Sequence, residues 1–371
     1  MTHENLTARD ITAALDDFAP ASLAMEGDKI GLQVGRLEKP VQSVLLSLDP
    51  SPEVIDYAVA GGYDLLLTHH AMLFRPIQRL DTSTARGKAV AKAVGHDITV
   101  YNAHTNLDVA EGGVNDVLAE LLQLKNVTIL ERMANEELRK LVVFVPKTHH
   151  EEVFQAVCNA GAGHIGAYSH CTFNTPGTGT FLPEEGTNPF LGTVGKIERA
   201  DEVRLETIVP MSKVETVIRA MISAHPYEEV AYDLYPLQIM GKEFGIGRIG
   251  TLSQTLALSE FSQRVKAALG LKHVRFSGNP DMPVRTVAVV GGAGGDFVEQ
   301  AMAKGADVFV TSDCDHHLVA EAWQDGLAMI DTTHAAMERP VLKAVQTHLQ
   351  TRFQSLKVDI ADLNEDPFTW L

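Results

Sequence analysis

Along the chain, short apolar runs alternate with stretches whose apolar residues recur every three or four positions. The runs read as buried strands and the periodic stretches as amphipathic helices. Ile11, Leu15 and Phe18 mark one face of a first helix, opened by Thr7-Ala-Arg-Asp10, a capping box with Asp in place of Glu. Val44-Leu-Leu-Ser-Leu48 is a strand. Ser51-Pro52-Glu53 starts the next helix, with Ser at the N-cap, Pro in the first turn and an acid near the positive end. Gly61-Gly62 ends it, and the strand Leu65-Leu-Leu-Thr68 follows, running into His69-His70. A helix through 89–94, a strand over 98–101 and a helix over 114–122 complete this part. Strands alternating with helices at such spacing predict βαβ units and a largely parallel sheet.

The pattern changes near Leu138. Strands over 141–145, around 168–173, over 203–209 and over 230–235 enclose helices over 150–160 and 213–223. Strand-helix-strand-strand-helix-strand predicts an inserted α+β domain of ferredoxin-like topology. Thr175-Pro-Gly-Thr-Gly-Thr180 reads as a loop, and Gly241–Gly250 as a connection leading back out. The α/β rhythm then resumes with strands over 286–290, 307–310 and 327–330. Helices over 297–303 and 318–323 separate them. A single long helix is expected from His334 to Leu349, and an irregular tail from Asp362.

The two α/β parts look like copies. Ala58–Thr68 lies over Ala301–Thr311, and Ile98–Asp108 over Ala328–Glu338, so His104 faces His334 and Asp108 faces Glu338. The expected fold class is therefore α/β. Two related halves, 1–137 and 241–371, form one discontinuous domain, and 138–240 is the ferredoxin-like insert.

Composition narrows the function. The chain has 371 residues, 45% hydrophobic and 21% charged, as in an ordinary soluble globular protein. No apolar run is long enough to cross a bilayer and no secretory signal is visible, so a cytoplasmic location without membrane contact is expected. A net charge of −17 disfavours nucleic-acid partners. Cys158, Cys171 and Cys314 have no C-x-x-C spacing, which argues against a disulfide framework or a thiolate zinc site. Nothing places a base beside Cys314 to make it a nucleophile.

Histidine carries the chemistry. Two adjacent histidines and two His-x-x-x-acid motifs follow strands expected at one sheet edge, where α/β proteins place ligands. Each alone has an ordinary reading: a buried hydrogen-bonded histidine at 69–70, a helix ion pair at 334–338, a loop at 104–108 before Gly112-Gly113. Together they supply imidazoles and carboxylates that suit Zn²⁺, Mn²⁺, Fe²⁺ or Ni²⁺. They are more than one tetrahedral site needs, and two ions about 3.5–4 Å apart, activating a shared water for hydrolysis, fit better. Asp313 and His317 are candidates for acid/base work or for holding a ligand histidine in its tautomer; a helix N-cap (Asp313) and a solvated histidine are the alternatives. Gly291-Gly-Ala-Gly-Gly295 is a tight turn or a phosphate cradle.

Several stretches together resemble the GTP cyclohydrolase 1 type 2 homologues, also called dinuclear metal-centre or NGG-interacting-factor-like proteins. They are Gly31-Leu-Gln-Val-Gly35, Leu67-Thr-His-His70 with Phe74-Arg-Pro76, Asn102-Ala-His-Thr-Asn-Leu-Asp108, and Asp331-Thr-Thr-His334 with Glu338. Within the insert, Gly161–Cys171 and His225-Pro-Tyr-Glu-Glu229 look like the longer members. The resemblance implies a two-metal site ligated by His69, His70, Asp108, His334 and Glu338, with His104 close by. It implies a PII/CutA-like insert and a homohexameric ring. Around Thr311–His317 the chain departs from the family pattern at Ser312 and Asp315. The expected function is metal-dependent hydrolysis of a small-molecule substrate, a nucleotide or related heterocycle. The rival is a metal-binding regulatory or scaffold oligomer whose insert senses a ligand.

Overall fold

The computed structural model describes residues 6–363 and 366–369. They divide into two compact units. One takes the chain as far as Met133 and resumes at Phe244; the other is Ala134–Glu243.

The strands of the first stretch are β1 (Gly31–Val34), β2 (Ser43–Ser47), β3 (Leu65–Thr68), β4 (Thr99–Asn102) and β5 (Lys125–Asn135). Those of the middle stretch are β6 (Leu138–Pro146), β7 (Thr172–Phe181), β8 (Glu198–Pro210) and β9 (Tyr232–Pro236). The chain then forms β10 (Glu243–Ala257), β11 (Arg275–Phe276), β12 (Pro283–Val289), β13 (Val308–Ser312), β14 (Ala328–Thr332) and β15 (Lys357–Ile360).

The discontinuous unit holds two mixed sheets, in the orders β1-β4-β3-β2-β15 and β11-β14-β13-β12-β10-β5. In each, three strands joined through helices run parallel: β2, β3 and β4 in one, β12, β13 and β14 in the other. In each, a short antiparallel strand closes the same side, β1 on β4 and β11 on β14. In each, the third parallel strand runs into a single-turn helix, Thr105–Val109 or His334–Glu338. The sequence repeat is thus a structural repeat. One core serves both halves: Leu46, Leu67, Leu107 and Leu118 pack in the same cluster as Val287, Val310, Phe309 and Met337.

Local chemistry sets the element ends. Thr7 accepts from the Asp10 N–H while Asp10 caps the Thr7 N–H, so the short acid completes the capping box of Ala8–Phe18. Ser51 caps Pro52–Gly61, and Gly62 ends that helix in the left-handed conformation at φ 63°. The expected single helix from His334 is instead two, His334–Glu338 and Val341–Arg352. Pro340 lies at the break; it has no N–H to donate and its ring crowds the preceding turn. Beyond the expected elements there are β5, β10, β15 and the helix Leu258–Ala268.

The second unit has the order strand, helix, strand, strand, helix, strand, and one antiparallel sheet ordered β7-β8-β6-β9. Leu141, Val143 and Val145 alternate toward the helices His150–Asn159 and Val214–Ala224, where they meet Val153, Val157, Val217 and Met221. Thr175–Thr180 is part of β7 rather than a loop. Among the described residues no helix is long and apolar enough to cross a membrane.

Candidate metal centre

The parallel strands deliver the histidines. His69 and His70 continue the ladder past β3, their N–H groups donating to the carbonyls of Ser47 (3.2 Å) and Leu48 (2.9 Å). The Thr68 hydroxyl donates to the His70 carbonyl and turns the chain, so two consecutive side chains converge, their ring centroids 5.1 Å apart. Past β4, the His104 N–H is taken by the Asn106 side chain, and Thr105–Val109 winds despite the glycines that follow. That turn carries Asp108. In the second half, Thr333 caps the turn that carries His334 and Glu338 on one face, with His334 Nε2 3.0 Å from Glu338 Oε1.

All four imidazoles are held from behind. His69 Nδ1 lies 3.1 Å from the Ala103 carbonyl, His70 Nδ1 2.8 Å from Asp49, His104 Nδ1 3.0 Å from both Asp28 oxygens, and His334 Nδ1 2.6 Å from Asp313. Acceptors on every Nδ1 fix the proton there and free Nε2, the arrangement that orients metal-ligating histidines. The Nε2 atoms meet at two buried carboxylates. His69 Nε2 is 3.6 Å from Asp108 Oδ1 and 3.7 Å from Glu338 Oε1, and His70 Nε2 is 3.0 Å from Glu338 Oε2. Yet, that ion-pair contact of His70 aside, His69 Nε2, Asp108 Oδ1 and Glu338 Oε2 have no hydrogen-bond partner among the described residues. Orphaned buried acceptors facing one another are costly, and a cation between them would satisfy all three. His69, His70 and His104 form one group able to hold a metal ion; His70, His334 and Glu338 form another. His70 belongs to both.

The electrostatics of the cluster agree. Burial alone would lower the His70 pKa, but Asp49 and Glu338 outweigh it and push it up to about 10. The hydrogen bond to Glu338 and then its charge raise His334 to about 9 against burial. Protons there stand where a cation would, so ligation competes with them. Burial raises Asp108, reinforced by Glu338, while the histidines hold Glu338 low in spite of burial.

Of the other candidates, Asp313 backs His334 and does not cap a helix; the cap of His316–Gln324 is Asp315. His317 is exposed in the first turn of that helix, edge-on to His316. The glycine run is a turn, not a phosphate cradle. The Gly291 N–H is taken by Asn115 and the Gly294 N–H by Thr311, and the helix after it, Val298–Ala303, is short. Sequence reading missed Asp28 and Asp49. Asp49 had a signal, an acid at the end of the strand beside the histidine strand; Asp28 had none. A cavity of about 740 Å³ opens over His70, His104 and His334, lined also by Phe74, Phe368 and the ion pair of Arg275 with Asp331.

Two tests arise here. Fully buried Asn115 donates to the Asp108 carbonyl (2.9 Å) and accepts from the Gly291 N–H (3.0 Å), joining the halves behind the site. Asn115→Ala orphans both groups and is expected to cost about 2–4 kcal/mol in urea denaturation. Asp28 is buried, which raises its pKa, but hydrogen bonds from Thr105 and His104 outweigh burial and hold it at about 2, below its ordinary 3.8. A depressed folded pKa contributes stability that is complete above the unfolded value and is lost as pH falls through the folded one. The urea midpoint should therefore fall more steeply from pH 4 to 2 in the native chain than in Asp28→Asn; equal slopes would contradict this.

Residues 6–367 match the profile of the family described as Duf34/NIF3 (NGG1p interacting factor 3). The chain belongs to that family. A protein from Halalkalibacterium halodurans named GTP cyclohydrolase 1 type 2 homolog is 46% identical, with 95% of this chain and 96% of that one covered. Another of that name, from Bacillus subtilis, is 43% identical over 99% of this chain and 100% of its own. The crystal structure of a Bacillus cereus protein related to NIF3 superposes with a TM-score of 0.90 at 45% identity, covering 99% of this chain and 100% of that one.

Proposed function

We propose that this Duf34/NIF3 member is a metal-dependent hydrolase of the GTP cyclohydrolase 1 type 2 kind, acting on a nucleotide or related heterocycle. The observation that carries the reading is the inward convergence of imidazoles whose outer nitrogens are all bonded, around Asp108 Oδ1 and Glu338 Oε2, which have no other partner among the described residues. His69, His70, Asp108, His334 and Glu338 would hold two divalent ions, drawn from Zn²⁺, Mn²⁺, Fe²⁺ or Ni²⁺. Such ions supply Lewis acidity toward water and toward the attacked carbon of the heterocycle.

The chain's own groups do the rest. Burial and neighbouring His69 keep the His104 pKa below its ordinary value. With its proton held at Nδ1 by Asp28, His104 offers Nε2 as the base that takes a proton from water. Asp49 and Asp313 keep His70 and His334 in register. Arg275, on the cavity wall and ion-paired with Asp331, leaves its outer face to the anionic end of the substrate, and the rings of Phe74 and Phe368 flank its planar part. We read 134–243 as an insert of ferredoxin-like topology, supported by its strand order, and the assembly as a homohexameric ring.

The test is formate release from GTP by protein reloaded with Mn²⁺ or Zn²⁺, beside Asp108→Ala. Turnover in the native chain and none in the variant is expected. Ions bound at two per chain without formate would remove the GTP assignment and leave the centre.

A further inference from the structure

The second unit contains a cavity of its own, about 590 Å³, between β7, β8 and the segments 182–191 and 227–231. That volume is in the range of small-molecule sites. Its walls are largely apolar and aromatic. Tyr227 packs against Phe181 and Phe190, with ring centroids 5.8 and 6.2 Å away. His225 holds Tyr227 in place: its Nδ1 accepts from the Tyr227 N–H (3.1 Å), and its Nε2 lies 3.1 Å from the Phe144 carbonyl.

One charged side chain sits deep in this cavity. Glu202, on the central strand β8, is 8% exposed. The Tyr227 hydroxyl donates to its Oε1 at 2.9 Å. No donor among the described residues reaches Oε2. The carboxylate has room only because β7 carries glycine beside it. Gly177 pairs with Glu202, and a Cβ on Gly179 would overlap its Oε2. Glycine in a strand interior weakens the strand and marks a close approach, here of a carboxylate to its neighbour's backbone. The sequence Thr175-Pro-Gly-Thr-Gly-Thr180 thus acquires a purpose that a loop would not give it.

The charge balance selects the ligand. Glu202, Glu228 and Glu229 line the cavity against one cation, Arg204. That guanidinium is engaged, donating to Glu206 at 2.7 Å and lying 5.6 Å from the Phe144 ring centre. Glu228 accepts from the Asn188 N–H and pins the loop that forms the far wall. A buried carboxylate among aromatic faces suits an ammonium group, which gains both a charge pair and cation–π contact.

We propose that this cavity binds a small organic amine as its cation, the ammonium on Glu202 and the apolar body among Phe181, Phe190 and Tyr227. The site belongs wholly to the second unit and does not depend on the hydrolase reading.

The experiment is calorimetric titration of the full-length protein with phenethylammonium and benzyltrimethylammonium, beside 3-phenylpropionate as the anionic counterpart. Saturable binding of at least one cation, one per chain, and none of the anion is expected. Glu202→Gln should weaken it by about tenfold or more. Gly179→Ala, which displaces the carboxylate without touching the helices, should do the same. No saturable cation binding below about 10 mM, equal binding of phenylpropionate, or affinity unchanged in both Glu202→Gln and Gly179→Ala would each overturn the proposal.

Discussion

Glu338→Gln is expected to reduce divalent-metal affinity by roughly a hundredfold or more, beyond what loss of a supporting residue costs. Glu338 is 3% exposed and lies within 3.7 Å of Nε2 of His69, His70 and His334. Its carboxylate thus meets three of the four imidazoles. Glutamine keeps the volume and one acceptor oxygen, so the core around Met337 and Val341 should remain packed. What disappears is the negative charge that draws a dication in beside the imidazole lone pairs. Metal content after dialysis against a chelator, with the circular dichroism spectrum as the check on folding, separates the two effects. An unchanged affinity would show that Glu338 is a structural ion-pair partner and not a ligand.

The second large effect is expected at Gly292. Its φ is +66°, and a Cβ there would overlap Glu338 Oε1 and crowd the His334 ring. Gly292→Ala should lower metal affinity by about tenfold or more, through displacement of that carboxylate. It should also cost about 1–3 kcal/mol of stability from the left-handed backbone. Gly305→Ala separates these terms: φ there is +73° with nothing within 4 Å of the added carbon. It should show the strain and none of the metal loss. If the two variants lose equal stability and Gly292→Ala keeps its metal, the glycine serves the turn alone.

The histidine strands were legible because their signals are local. Leu65–Leu67 between glycines and a His-His pair can hardly be anything but a buried strand ending at the sheet edge. The repeat was legible because it preserves spacing, placing His104 over His334 even where identities are few. Other features hid behind composition. β5 begins Lys125-Asn-Val-Thr and is largely exposed at that end, so no apolar run announced it. β10 contains Gly245, Gly247 and Gly250, each lying close against β5 residues or Val290, and glycine in sequence reads as a turn. Thr105–Val109 is too short to show a helical period, and Asn106 holds its start through a side chain. Asp28 could not be found at all from sequence; it reaches His104 across 76 residues, from a segment with no regular structure. Supporting groups of this kind come from tertiary contact, which period and spacing do not encode.

The pairing of β15 with β2 sets a timetable. Val358 pairs in register with Val44, so the last strand of the first sheet is made more than three hundred residues after its neighbour. During synthesis the β2 edge, with the apolar Val44-Leu45-Leu46, stays unpaired until residue 360 has cleared the ribosome. His69 and His70 wait in the same way for His334 and Glu338, a shorter stretch of chain. The second unit, a continuous stretch from Ala134 to Glu243, can fold meanwhile. The nascent chain therefore carries a finished unit beside an unfinished one, and of the two groups able to hold a metal ion, that of His70, His334 and Glu338 is assembled only after the C-terminal half has folded back.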